Sequence, residues 1–124
     1  MFSILMSCYV KDEPSFLKEA LDSVLSQDLL PAEVVLVCDG VLTEYLDEVI
    51  DVFGHLMLKL DTDFKVVRLD QNVGLGKALA IGARQCSQLY IVRMDSDDIS
   101  IQSRLLDLRD AIGSDDSIDV IGAQ

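Results

Sequence analysis

The chain has 124 residues, half of them hydrophobic, enough for one domain with a buried core. Ten Lys and Arg against 22 Asp and Glu leave a formal charge of −12, a field that repels nucleic-acid phosphates and anionic surfaces and argues against nucleic-acid binding. The same field repels a nucleoside diphosphate, so such a ligand would need a bound cation or a local cluster of donors.

Phe2 to Met6 is a nearly continuous apolar run, as expected of a strand covered on both faces. No basic segment precedes it, and no apolar stretch reaches the ~18 residues of a membrane span. Pro14 then opens a segment in which Phe16, Leu17, Ala20, Leu21, Val24 and Leu25 recur at helical spacing, predicting an amphipathic helix that ends near Gln27. Val34 to Cys38 is a second buried strand, stopped by the turn signal Asp39-Gly40. Thr43 is placed to cap a helix with Leu46, Val49, Ile50 and Phe53 on one face, and Gly54 is expected to end it. The segment from His55 to Asp63 reads equally as more helix or as an irregular connection. Phe64 to Leu69 is the third strand, Gly74 to Cys86 an Ala- and Leu-rich helix, and Leu89 to Val92 the fourth strand. Ser100 is placed to cap a last helix carrying Leu105, Leu106, Leu108 and Ile112, and a fifth strand starts at Ile118 to Ile121.

This alternation requires crossover connections and predicts an α/β fold, an open, mainly parallel sheet with helices on both faces, as one domain over residues 1–124. In such sheets ligands bind beyond the carboxyl ends of the strands. The residues that follow the strands therefore matter most: Ser7 to Lys11, Asp39-Gly40, Asp70 to Lys77 and Asp95 to Asp98. Cys8, Cys38 and Cys86 match no zinc or redox spacing and are expected to be buried and reduced, which fits a cytoplasmic setting.

Asp95, Asp97 and Asp98 crowd the end of the fourth strand, an arrangement that a hard divalent cation such as Mg²⁺ or Mn²⁺ would relieve. Capping of the next helix is the other role open to them. Asp39 could accept hydrogen bonds from a ribose or base, or simply form the turn before Gly40. Tyr9 could stack on a base or lie at the edge of the core. Asn72 to Lys77 is neither a Walker A loop, because Gln71 and Ala78 stand where Gly and Ser or Thr are needed, nor a dinucleotide fingerprint, because Leu79 replaces its third glycine. Lys77 could reach an anion or be solvated, and His55 receives no role.

Together, Ser-Ile-Leu-Met-Ser-Cys-Tyr, Leu-Asp-Ser-Val-Leu-Ser-Gln, Val-Val-Leu-Val-Cys-Asp-Gly, Asn-Val-Gly-Leu-Gly-Lys-Ala and Met-Asp-Ser-Asp-Asp resemble, in order and spacing, the family 2 glycosyltransferases of the GT-A fold. The resemblance implies a Rossmann-like donor-binding half, a nucleotide-diphosphate sugar donor (UDP favoured, GDP and dTDP as alternatives), inversion at the anomeric carbon, and a glycan or lipid-linked acceptor in bacterial surface polysaccharide synthesis. By position, Ser7, Cys8 and Tyr9 would line the base pocket, Asp39 would hydrogen-bond the base, and Lys77 would lie near the nucleotide. Asp95-Ser96-Asp97 is similar to the family's DXD motif, with Asp95 toward the ribose, Asp97 on the metal and Asp98 sharing either task. The chain differs from the family pattern at Ser7, usually proline, at Val10, often asparagine, and at Cys38, often aspartate. No residue matches the family's catalytic base, which is expected beyond Gln124, so the chain reads as the donor half, with little activity alone. Attachment to the inner face of a membrane would need parts outside it, and a cut sheet edge could favour a homodimer.

Two other functions compete. A response-regulator receiver domain would share the length and an acidic pair after strand one, here Asp12-Glu13, with Asp70 as phosphorylation site; but Met94-Asp95 and Ala123-Gln124 stand where Ser or Thr and Lys are required. A non-catalytic nucleotide-binding α/β module is the third.

Overall fold

The computed structural model describes residues 2–96, 103–114 and 120–122. Among these residues five strands, β1 (Phe2–Cys8), β2 (Glu33–Cys38), β3 (Asp63–Arg68), β4 (Tyr90–Asp95) and β5 (Val120–Gly122), alternate with four helices, α1 (Pro14–Leu25), α2 (Glu44–Lys59), α3 (Leu75–Gln85) and α4 (Arg104–Ser114). The sheet order is β3-β2-β1-β4-β5, and every pairing is parallel. A receiver domain needs the order β2-β1-β3-β4-β5, so this topology rejects that alternative.

Strand alternation divides the core. Phe2, Ile4, Met6 and Cys8 of β1, with Val34, Leu36 and Cys38 of β2, pack against α1, α2 and α4. Leu5, Val35 and Val37 point to the opposite face and pack against α3 through Ala78. Among the described residues α3 is the helix that covers that face, and it lies close. A Cβ added at Gly82 would stand 2.5 Å from Val37 Cγ2 and 2.6 Å from Leu5 Cδ1. Gly82→Ala is therefore expected to lose up to ~2 kcal/mol, since overpacking at these two contacts, ~1–3 kcal/mol, is set against a helix-propensity gain of ~1 kcal/mol. Urea unfolding of the variant measures this, and a stability equal to wild type would show that the contact relaxes.

α2 corrects the sequence-based boundary. Gly54 does not end the helix; it sits inside it, where an added Cβ would meet only Phe64 at 3.7 Å. The buried face Leu46, Ile50, Phe53 and Met57 continues through it and outweighs the modest cost of one glycine. The helix stops at Asp61, whose φ of 59° is left-handed. There Thr62 N–H donates to Met57 O at 3.1 Å and Asp61 N–H to Leu58 O at 3.4 Å, a Schellman closure with aspartate in the place glycine usually takes. Thr43 caps the other end, accepting from Leu46 N–H at 3.2 Å.

Other boundaries shift less. Phe16, assigned to the buried face of α1, is 53% exposed; Leu17, Ala20, Leu21 and Val24 form that face. β4 continues to Asp95, beyond the expected end at Val92, so this carboxylate belongs to the strand. The Ser100 cap lies outside the described residues, but Gln27 serves the same end of α4 from across the fold, its Oε1 accepting from Leu105 N–H at 3.1 Å.

Candidate donor-binding cleft

The chain crosses from β3 on one side of β1 to β4 on the other, so the strand order reverses between β1 and β4 and their carboxyl ends diverge. A cleft of about 390 Å³ opens there, lined by Ser7, Tyr9, Asp12, Asp39, Asn72, Gly74, Leu75, Asp95 and Ser96. Its size is that of a small-molecule site. A larger groove of about 560 Å³ runs between α2 and β3, from Asp63 to Arg68, and shares no residue with this cleft.

Ser7 and Asp95 are register partners on neighbouring strands and therefore share a face at the rim. Asp95 is about half exposed and pairs loosely with Arg93 at 3.5 Å. Asp39 is 4% exposed and does more than form a turn. Its Oδ1 accepts from Val73 N–H at 2.7 Å and its Oδ2 from Gly74 N–H at 3.1 Å, while its carbonyl accepts from the Asn72 amide at 3.3 Å. Asp39 thus holds the loop after β3 against the end of β2. Gly40 permits the approach: its φ is +94°, and a Cβ there would lie 3.1 Å from Asn72 N. Gly74 starts α3 without a side-chain cap, so the positive end of that helix faces the cleft through Gly74 and Leu75.

Two assigned residues lie elsewhere. The Cys8 side chain is 1% exposed and points into the core, because alternation along β1 sends Ser7 to the cleft side and its neighbour to the opposite face. Lys77 is exposed in the first turn of α3 and is absent from the cleft lining. Asp97 and Asp98 lie outside the described residues. Among the described residues no group of three His, Cys, Asp or Glu side chains is arranged to hold a metal.

Asp12 was not foreseen as a site residue. Its Oδ2 accepts from Tyr9 N–H at 3.0 Å and from the Ser96 hydroxyl at 2.9 Å, fastening the loop after β1 to the end of β4. The local turn was open to inference from an aspartate three residues after Tyr9; the bond to Ser96, 84 residues away, was not. Asp12 and Asp39 thus use their carboxylates on the loops that frame the cleft, and Asp95, also in the lining, stands about half exposed at the end of β4.

Comparison with known proteins gives this cleft a context. The chain is 41% identical over 103 residues to the UDP-Gal:alpha-D-GlcNAc-diphosphoundecaprenol beta-1,3-galactosyltransferase of Escherichia coli, covering 83% of this chain and 36% of that protein. It is 39% identical over 104 residues to the amylovoran biosynthesis glycosyltransferase AmsE of Erwinia amylovora, covering 84% of this chain and 37% of that one. Residues 1–349 of S. aureus TarS, crystallised with UDP, superpose with a TM-score of 0.77 at 26% identity, over 91% of this chain and 32% of that chain. The chain thus spans little more than a third of the curated relatives it matches. The model of glycosyl transferase family 2 matches residues 3–124, and the chain belongs to that family.

Proposed function

We propose that this chain forms the nucleotide-sugar donor site of a metal-dependent, inverting glycosyltransferase of bacterial surface polysaccharide synthesis, with a UDP-sugar as the favoured donor and a glycan or lipid-linked acceptor. The observation that carries this reading is the cleft at the switch point, where Ser7, Tyr9, Asp39 and Asp95 meet in a family 2 chain. The names of the Escherichia coli and Erwinia amylovora relatives support the polysaccharide setting, and the UDP complex of TarS supports the base.

Within the cleft, Tyr9 offers an aromatic face to the base, and it is 40% exposed. The Asp39-held loop and the start of α3 form the wall beside it. Asp95, with Asp97 and Asp98 of the same segment, would hold the cation. When bound, that cation offsets the charge that collects on the departing nucleoside diphosphate. The chain's own contribution is to bind and orient the donor, and Lys77, in the first turn of α3, adds the nearest positive side chain of that helix. Inversion requires an acceptor hydroxyl to attack opposite the leaving group, and the base that deprotonates it is assigned to sequence outside these 124 residues.

Calorimetric titration with UDP and with GDP, each with and without Mn²⁺, tests this. UDP is expected to bind on the order of tenfold more tightly with the metal, and Asp97→Ala to abolish the difference without unfolding the chain. Equal UDP affinity with and without metal would remove the cation from the site, and failure of both nucleotides to bind would remove the site.

A further inference from the structure

Cys8 ends β1 and Cys38 ends β2, and the two are paired in register. Both side chains lie in the cluster under α1 and α2, 1% and 0% exposed, so the thiols stand side by side on one face of the sheet. Neighbouring strands stand roughly 4.7–4.9 Å apart, inside the roughly 4.4–6.8 Å range of Cα separations that a disulfide bridges. The thiols are free in this structure. We infer that Cys8 and Cys38 form a cross-strand dithiol site that a hydroperoxide closes to an intrachain disulfide.

The chemistry has a direction. The Cys8 thiol donates to Cys38, which lowers the Cys38 pKa despite burial, and the Arg68 guanidinium, on the residue paired with Cys38 across β3, favours the same thiolate. Asp47, the ion-pair partner of Arg68 at 2.8 Å, opposes it more weakly. Cys8 is pushed in the other direction by that hydrogen bond and by burial, so it keeps the proton. The Cys38 thiolate attacks one peroxide oxygen; an S–O bond forms, the O–O bond breaks, and the departing hydroxide becomes water with the proton that the Cys38 thiol gave up on ionising. The Cys8 sulfur then attacks the Cys38 sulfenic acid; the S–S bond forms, the S–O bond breaks, and the hydroxyl leaves as water with the Cys8 proton. Two thiols are oxidised by two electrons, and the peroxide is reduced to water. Hydrogen peroxide is close to water in size, and both cysteines are the last residues of their strands, one before Tyr9 and one before Asp39, on the sheet face turned away from the cleft.

Cys86 is the internal control. It is only partly buried, packs on the α3 face, and burial raises its pKa. The chain is treated with hydrogen peroxide, alkylated under denaturing conditions and mapped as peptides without reduction. Alkylatable thiols are expected to fall from three per chain to one, with the Cys8 and Cys38 peptides linked, Cys86 alkylated and the link reversed by dithiothreitol. Cys38→Ser is expected to abolish the link, its fold checked by circular dichroism, although the wild-type map is decisive without it. Full alkylation of Cys8 and Cys38 after peroxide, or links that join separate chains, would overturn the proposal.

Discussion

Glu33→Ala is expected to destabilise the fold by ~3 kcal/mol, the scale of breaking a buried, hydrogen-bonded ion pair. Glu33 opens β2 at the end of the sheet opposite the cleft, and only 1% of it is exposed. Ser3 Oγ donates to its Oε1, as does Ser87 N–H, while Ser87 Oγ reaches Oε2 at 3.1 Å and Lys65 Nζ at 3.0 Å. One carboxylate therefore ties β1, β2, β3 and the loop before β4. Burial opposes its ionisation, but the bonds from Ser3, Ser87 and Lys65 outweigh burial and hold its pKa at about 2, below the ordinary 4.5. The folded state thus binds this proton less readily than the unfolded chain. The stabilisation is complete above pH 4.5 and is lost as pH falls from there through about 2, by ~3 kcal/mol in all. Urea unfolding across that window should show the loss in wild type and a flatter profile in Glu33→Gln, which has no proton to gain. An alanine variant within ~0.5 kcal/mol of wild type at neutral pH would mean that water replaces the network.

That network was invisible in the sequence, whereas the architecture was not. Runs such as Val34 to Cys38 announce strands buried on both faces, and between them the helical spacing of residues such as Leu17, Ala20, Leu21 and Val24 sets the βα order. Boundaries failed where one residue carries two signals. Gly54 looks like a stop but is a packing position beside Phe64, and the actual stop is an aspartate in a left-handed conformation. The site was legible as strand-end segments because an open parallel sheet gathers those ends. Which way each side chain points follows from the pleat: counting alternation from the buried Met6 would have put Ser7 in the cleft and Cys8 in the core. What no local pattern encodes is the pairing of loops, as when Asp12 receives Ser96 or Asp39 receives Val73 and Gly74.

Asp39→Ala is expected to lower UDP affinity at least on the order of tenfold while costing the fold ~2 kcal/mol. Two backbone N–H groups lose a charged acceptor at once, each such bond contributing ~1.5–3 kcal/mol less what water restores at the partly buried loop. The loop from Asn72 to Gly74 then loses its anchor on β2, and with it goes the fixed start of α3 that walls the cleft. Asn at this position separates two roles for the carboxylate. An amide keeps one acceptor oxygen, so Asp39→Asn can hold only one of Val73 and Gly74 by the existing geometry, and its NH₂ would confront the other N–H. If Asp39 acts only by holding the loop, Asp39→Asn should lose affinity in proportion to its loss of stability. If its carboxylate also meets the base directly, affinity should fall further than stability does, and the excess should differ between UDP and GDP. Calorimetry paired with urea unfolding of both variants reads the two quantities side by side. Unchanged UDP affinity in Asp39→Ala, with the loop's stability reduced, would detach this wall from the donor site and leave the β1 and β4 ends, Ser7, Tyr9 and Asp95, to carry it.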